Sequence, residues 1–403
     1  MVSINASGNI IVDIENYKKK TDICKSEIET ILLNKHDNVM DIDKFIEQEI
    51  QFRLGDFYNK AFEIPRTLNG KPFLENNYFY ILYNNKIIRR PNFRKDHGGL
   101  KLLLKGSMFH RNLPLNVPVL VFFGDATGVY DREFPIFNFN RHVSVTKQCL
   151  VFWDRIFNLE NTYHVEDNIS WDNKLDKVIW RGSATGNNFK YSLHGKLISK
   201  KRNLFSNYLK TEKTITNEDL FRFSRYNFCQ KFKNNSLVDV GFTKDTIDLV
   251  KDERKKNMPD DNLNLDKFFT EIIKSKKKIT EMLEYKYQLA LEGNDWATSL
   301  IWQLGANCVV LMPPITFHNI YTSQLKPWIH YVPIKADFSD LVEIIEFMRE
   351  NDELSKNISK NASVYISRFG NEDLQNKINQ GIISKYIDNF TNIEEIREIC
   401  KNN

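Results

Sequence analysis

The chain has 403 residues, 41% of them hydrophobic, with 57 basic and 52 acidic side chains and a formal net charge of +5. That length predicts two domains with a core in each, and the apolar content excludes a linker or disordered protein. The small positive excess suits an anionic ligand but not a nucleic-acid footprint, and five scattered cysteines without a Cys-x-x-Cys pair exclude zinc sites and a disulfide framework.

The N-terminus lacks the basic-then-apolar layout of a signal peptide, and no run approaches the roughly 18 apolar residues of a membrane span. The expectation is a cytoplasmic protein with at most peripheral membrane contact. Residues 22–60 carry a helical stripe through Ile28, Ile31, Leu32, Ile42, Phe45, Ile46, Ile50 and Phe52. Residues 78–83, turning at Asn84 and Asn85 into residues 86–88, predict a hairpin. Residues 117–123 are almost wholly apolar and stop at Gly124 and Asp125, the pattern of a strand buried on both faces. Further strands are expected at 134–139 and 149–153, which closes a first domain at about residue 165.

A second domain, 166–370, alternates strand with helix at 178–180, 204–209, 237–240 and 268–273, which predicts a doubly wound parallel sheet. The charged, Pro-containing stretch 251–262 reads as a surface loop. Residues 287–291 form a strand broken by Gly293. Asn294 and Asp295 are helix-capping types, residues 297–304 have helical spacing, and a strand at 308–312 stops at two prolines. Amphipathic helices follow at 340–350, capped by Ser339, and at 353–369. Residues 371–403 carry more helical pattern and are expected to pack back toward the first domain.

Two segments carry chemistry. After the strand at 178–180 comes a polar, Gly-rich loop in which Arg181 offers a planar fork, Ser183 and Thr185 offer hydroxyls, and Gly182 and Gly186 admit close approach of a ligand. It lacks the Walker spacing, which disfavours an ATPase. After the strand at 287–291, Glu292, Gly293, Asn294, Asp295, Ala297 and Thr298 form a strand-turn-helix junction, whose free N–H groups and positive helix end suit a phosphate. Ordinary turns have the same outline. Asp239 lies in an apolar strand, where a structural partner is expected, and Trp153, Trp180 and Trp296 suit either packing or stacking on a ring.

The texts WRGSATG at 180–186, VDVGF at 238–242, YKYQLALEGNDWAT at 285–298 and LKPWIHYVPIKADFSDL at 325–341, in this order, resemble glycosyltransferase family 90. That family includes protein O-glucosyltransferases, capsule xylosyltransferases and bacterial lipopolysaccharide core glycosyltransferases, and the EGNDWAT wording is closest to the bacterial branch. The resemblance implies an α/β GT-B architecture, two Rossmann-like domains facing a cleft. It implies inverting, metal-independent transfer of glucose, xylose or galactose from a UDP-sugar to a glycan, lipid-linked or protein hydroxyl, with no other cofactor.

The resemblance makes Asp125 the base, with Asp131 and Asp154 as other candidates; the residues alone read Asp125 as a turn residue. Ser299 and Leu300 stand where the animal branch suggests an Arg, and Lys190 stands near the position of a second one. The diphosphate is then expected to rest on Arg181, Ser183, Thr185, Lys190 and the backbone of 294–297, with Glu292 accepting from ribose hydroxyls and Asp295 either binding the sugar or capping the helix. The D-x-D at Asp41 and Asp43 sits in helical pattern, so no metal site is expected. Basic clusters at 89–95 and 274–278 read as solvated faces rather than a nucleic-acid surface.

Overall fold

The computed structural model describes residues 2–4, 10–12, 41–68, 71–75, 79–89, 108–122, 132–143, 145–150, 166–186 and 204–402. The chain divides into two compact units, one of Met1–Asp37, His164–Thr316 and Leu325–Ile366, the other of Asn38–Tyr163, Phe317–Gln324 and Ser367–Asn403.

In the second unit, β1 (Tyr80–Tyr83) and β2 (Lys86–Arg89) form the expected hairpin. Asn84 and Asn85 both have positive φ, 50° and 55°, as a tight two-residue connection requires and as Asn tolerates. β1 pairs antiparallel with β3 (Val119–Val121), and parallel pairs continue to β4 (Phe137–Asn138) and β6 (Cys149–Leu150). This sheet is therefore mixed, with the hairpin at one edge. Its strands are shorter than the expected 117–123 and 134–139, because pairing is confined to the segments where the neighbours meet. β5 (Arg141–His142) and β12 (Phe317–His318) pair antiparallel as a separate two-stranded sheet of this unit.

The core of this unit is closed by helices from both ends of the chain. α1 (Ile42–Leu54) begins at Asp41, whose carboxylate accepts the Lys44 N–H at 3.0 Å; the rest of the helical stripe before residue 41 lies outside the described residues. α2 is Met108–Asn112, and α9 (Glu372–Asn389) packs against both, followed by α10 (Ile393–Lys401). Gly381 permits that approach, since a Cβ there would lie 2.2 Å from Ile50 Cδ1. Tyr386 donates to Pro118 O at 2.8 Å, and Phe62 stacks on Phe390 at 4.9 Å.

In the first unit, β9 (Ile273–Lys274), β8 (Val238–Thr243), β7 (Leu175–Gly182), β10 (Tyr285–Leu289), β11 (Val309–Met312) and β13 (Val332–Pro333) form one sheet in that spatial order, every pair parallel. The order runs outward in both directions from the β7–β10 pair, the doubly wound arrangement expected from the alternating pattern. Val178, Val240, Tyr287, Val309 and Leu311 are buried in the sheet. α3 (Phe205–Thr211), α4 (Ser224–Phe232), α5 (Lys244–Asn257), α6 (Leu300–Gly305), α7 (Leu341–Glu350) and α8 (Asp352–Ser367) belong to this unit.

Two local expectations fail here. Residues 251–257 are helix rather than loop, because Ile247 and Val250 face the core and the buried Arg254 guanidinium donates to Leu209 O, Glu212 O and Asp261. Charge at these positions marks the outer face and a buried tie. Ser339 is not the cap of α7: Asp340 takes that position, and its carboxylate accepts the Lys335 N–H instead.

The buried ion pair of the second unit sets one prediction. Glu49 and Arg53, both fully buried, pair at 3.0 Å; Arg53 also donates to Gln375 on α9, and Glu49 accepts from Ser323 and Gln324. Arg53→Met strands the Glu49 carboxylate and is expected to cost about 3 to 5 kcal/mol in urea unfolding, while the double change Glu49→Leu, Arg53→Met costs less.

Candidate functional site

β7 and β10 are neighbours, yet β7 leads on to β8 and β10 to β11 on opposite sides. In an open α/β sheet this reversal leaves a crevice at the carboxyl ends of the two strands. The loop 182–186 and the loop 290–299 both open there, so the fold brings the two sequence-predicted segments to one place.

Side-chain alternation along β7 then assigns the roles. Trp180 and Arg181 point to opposite faces. Trp180 is 4% exposed and packs edge-on against Phe228 and Phe242. A Cβ on Gly182 would lie 2.4 Å from its ring, so this glycine serves the Trp180 ring rather than a ligand. Arg181, on the other face, donates from Nη2 to Asp239 Oδ1 at 2.6 Å, from Nη1 to Asp239 O and Trp180 O at 3.0 Å, and from Nε to Ser275 O at 3.2 Å. Four of its five N–H groups are engaged by protein acceptors on that face. Asp239 thereby has the structural partner expected of it, and Tyr285 adds a second donor at 2.7 Å.

The cation that does reach the two loops is Arg225, on α4, which the sequence reading did not single out. Its Nε donates to Glu292 O at 3.1 Å and Nη2 to Leu291 O at 2.8 Å. Nη1 donates to Ser183 O at 3.1 Å and to Thr185 Oγ1 at 2.6 Å. One guanidinium thus ties the ends of β7 and β10 together, while lying over the Trp180 ring at 5.4 Å. Burial pushes it down to about 10, with Cys229, Asp295 and Glu292 acting the other way, so it stays cationic at neutral pH. It escaped notice because it lies 40 residues beyond Thr185, whereas the expected second cation was sought within the loop. The available signal was an Arg at the start of a helix otherwise rich in buried aromatics, Tyr226, Phe228 and Phe232.

A second tie joins the loops directly: the Gly186 N–H donates to Asn294 Oδ1 at 3.2 Å, at a φ of 126° that favours glycine. Ser183 and Thr185 hydroxyls lie 3.2 Å apart beside it. Glu292 does not present its carboxylate to a ribose. It accepts the Thr316 N–H at 2.9 Å and the Thr316 hydroxyl, holding the turn after β11. The helix expected to start at Ala297 begins instead at Leu300, with Ser299 at its cap position and no side-chain capping bond. Gly293, Asp295 and Ala297 are buried and Thr298 exposed in an irregular loop, so neither Asn294 nor Asp295 caps the helix. A six-residue helix set back in this way offers no positive end at 293–297, and that part of the expected phosphate seat is withdrawn. Trp296 is buried and Trp180 is packed. Asp125, Asp131, Asp154, Trp153 and Lys190 lie outside the described residues.

This arrangement, two polar loops at a switch point braced by a half-buried cation, suits the phosphates of a nucleotide. A sequence model of glycosyl transferase family 90 matches residues 105–387. The chain belongs to glycosyltransferase family 90. The family 90 region includes all four quoted motifs and both site loops. Among its relatives, the O-glucosyltransferase LpsA of Dichelobacter nodosus is 25% identical over 66% of this chain and 65% of its own length. The uncharacterized protein 179R of Invertebrate iridescent virus 6 is 29% identical over 50% of this chain and 16% of its own. Protein O-glucosyltransferase 1 of Rattus norvegicus is 31% identical over 33% and 31% respectively. The chain thus spans less than two thirds of the length of each of these relatives.

Asp239 gives the site an acid-side prediction. Burial alone would raise its pKa, but the hydrogen bonds from Tyr285 and Arg181 and the Arg181 charge outweigh it and hold the carboxyl below its ordinary 3.8. A lowered folded-state pKa contributes stability that is present above the unfolded value and lost as pH falls through the folded one. The stability advantage of the native chain over Asp239→Asn is therefore expected to be constant near neutrality and to shrink below about pH 4. Urea midpoints at both pH values measure it.

Proposed function

We propose that the protein is an inverting, metal-independent glycosyltransferase of GT-B architecture that moves glucose, xylose or galactose from a UDP-sugar to a hydroxyl of a glycan, lipopolysaccharide-like or protein acceptor. The single observation that carries the reading is the pair of loops at the β7–β10 switch point, joined by Arg225 and by the Gly186–Asn294 bond. Family membership supports transfer of a glycosyl group, and the printed names of LpsA and the rat enzyme support an O-linked product.

In this reading the acceptor oxygen attacks the anomeric carbon while Asp125 takes its proton. The carbon–oxygen bond to the diphosphate breaks, and UDP leaves with the bonding electrons from the opposite face, which inverts the centre. Charge grows on the departing phosphate oxygen. The Ser183 and Thr185 hydroxyls, the N–H groups of the two loops and the positive field of Arg225 beneath them stabilise it. Arg225 acts as a positioning residue: four of its N–H groups hold the loops whose polar atoms face the donor.

Two measurements test this. UDP is expected to raise the melting temperature, and one UDP-sugar of a panel is expected to be hydrolysed slowly without acceptor, undiminished by EDTA. Asp125→Asn should keep the UDP-induced shift and lose roughly 100-fold or more of turnover. Absence of any UDP shift together with unchanged turnover in Asp125→Asn would sink the proposal. Arg225→Lys retains a charge but not the fork, and should lose about tenfold in UDP affinity in the same titration.

A further inference from the structure

The run Lys274, Ser275, Lys276, Lys277, Lys278, Ile279 holds four cations and no carboxylate. It leaves β9, the edge strand of the parallel sheet, and ends in the single helical turn Ile279–Met282. Three contacts fix its course. Ser275 O accepts from Arg181 Nε at 3.2 Å, the Lys277 ammonium lies 5.7 Å from the centre of the Tyr285 ring, and the Lys278 N–H donates to the Glu281 carboxylate at 2.7 Å. Three of the four lysines are exposed, Lys274, Lys276 and Lys278, with Lys276 exposed by 75% of its side chain, while Lys277 is half-buried over Tyr285.

Aliphatic surface accompanies the charge. Ile279 is 42% exposed at the end of the run, and Leu175, 44% exposed, stands in register with Tyr285, over which Lys277 lies. The carboxylates beside the run include Asp245, 3.7 Å from Lys276, Glu281, which is engaged with the backbone, and Asp239, which is paired with Arg181, so the run keeps a net positive charge. Ammonium groups interleaved with exposed aliphatic side chains match a surface that is anionic at its face and apolar just beneath. A nucleic acid would call for exposed aromatic platforms beside the cations, whereas the ring at this place, Tyr285, is buried and the exposed apolar residues are Ile and Leu.

We propose that the loop at residues 274–279 docks on an anionic lipid bilayer, with Lys274, Lys276 and Lys278 at the headgroup phosphates and Ile279 at the acyl boundary. The surface lies on the sheet edge and uses none of the loop atoms assigned to the donor.

Sedimentation with phosphatidylserine-rich vesicles against pure phosphatidylcholine vesicles tests it on the full chain. Binding is expected to the first and not the second, and to fall steeply with salt. Each lysine at the surface contributes roughly a fivefold gain in partitioning, so Lys274→Glu, Lys276→Glu, Lys278→Glu together should lose on the order of a hundredfold or more. Ile279→Ser should lose less, with the salt dependence kept. The UDP-induced thermal shift of the triple variant reports that its fold and donor loops are intact. If that variant unfolds, Lys276→Gln, Lys278→Gln takes its place, with a smaller loss expected. Equal partitioning of native and variant chains overturns the proposal. So does a soluble polyanion such as single-stranded DNA that competes fully with the vesicles, since that outcome assigns the loop to nucleic acid.

Discussion

Everything at the candidate site depends on one guanidinium, that of the half-buried Arg225. The ends of β7 and β10 are adjacent in the sheet but belong to chains that depart in opposite directions, so no backbone ladder joins the loops that follow them. Arg225 supplies the missing connection with hydrogen bonds to Ser183, Thr185, Leu291 and Glu292. A planar, permanently charged fork can do this because its donors point in several directions in one plane, whereas an ammonium would have to choose among acceptors. The cost of burying the charge is offset by those carbonyls and by the face of Trp180. The same arrangement leaves Arg181 free to serve the opposite face of the sheet, where it neutralises Asp239.

The architecture of the first unit was legible because it is written in local periodicities. Short apolar runs alternating with helical stripes specify a parallel sheet, and Asn84 with Asn85 specifies a hairpin through backbone conformations that few other residues accept. Both site loops were legible for a related reason: polar and glycine-rich text directly after a buried strand has few places to be except a sheet edge. What was not legible is which face each side chain takes. A strand shifted by one residue exchanges its faces, and Arg181 against Trp180 is such a case. Nor could spacing reveal Arg225, since its partners are brought to it by the crossover and not by sequence neighbourhood. The helix start at Leu300 was misread because Asn294 and Asp295 are capping types in general, while here Asn294 spends its side-chain oxygen on Gly186. The resemblance to family 90 named the family that the matching sequence model shows, yet not the guanidinium that joins the two loops.

Glu292 shows how a residue can be placed at a site without addressing its ligand. Its main chain feeds Arg225 through the carbonyl, and its carboxylate grips Thr316 through both the N–H and the hydroxyl. Thr316 is the last residue of the first unit before the chain enters the second at Phe317. Within the second unit, the far end of that excursion is held in the same manner, by Glu49 accepting from Ser323 and Gln324, with Arg53 compensating its charge. Each carboxylate is engaged by donors in its own unit, so moving either end of the excursion breaks charge-assisted bonds. The residue whose carbonyl helps seat Arg225 is thus the residue that anchors the departing chain. Thr316, Glu292, Arg225 and the pair Ser183 and Thr185 form one continuous run of hydrogen bonds within the first unit.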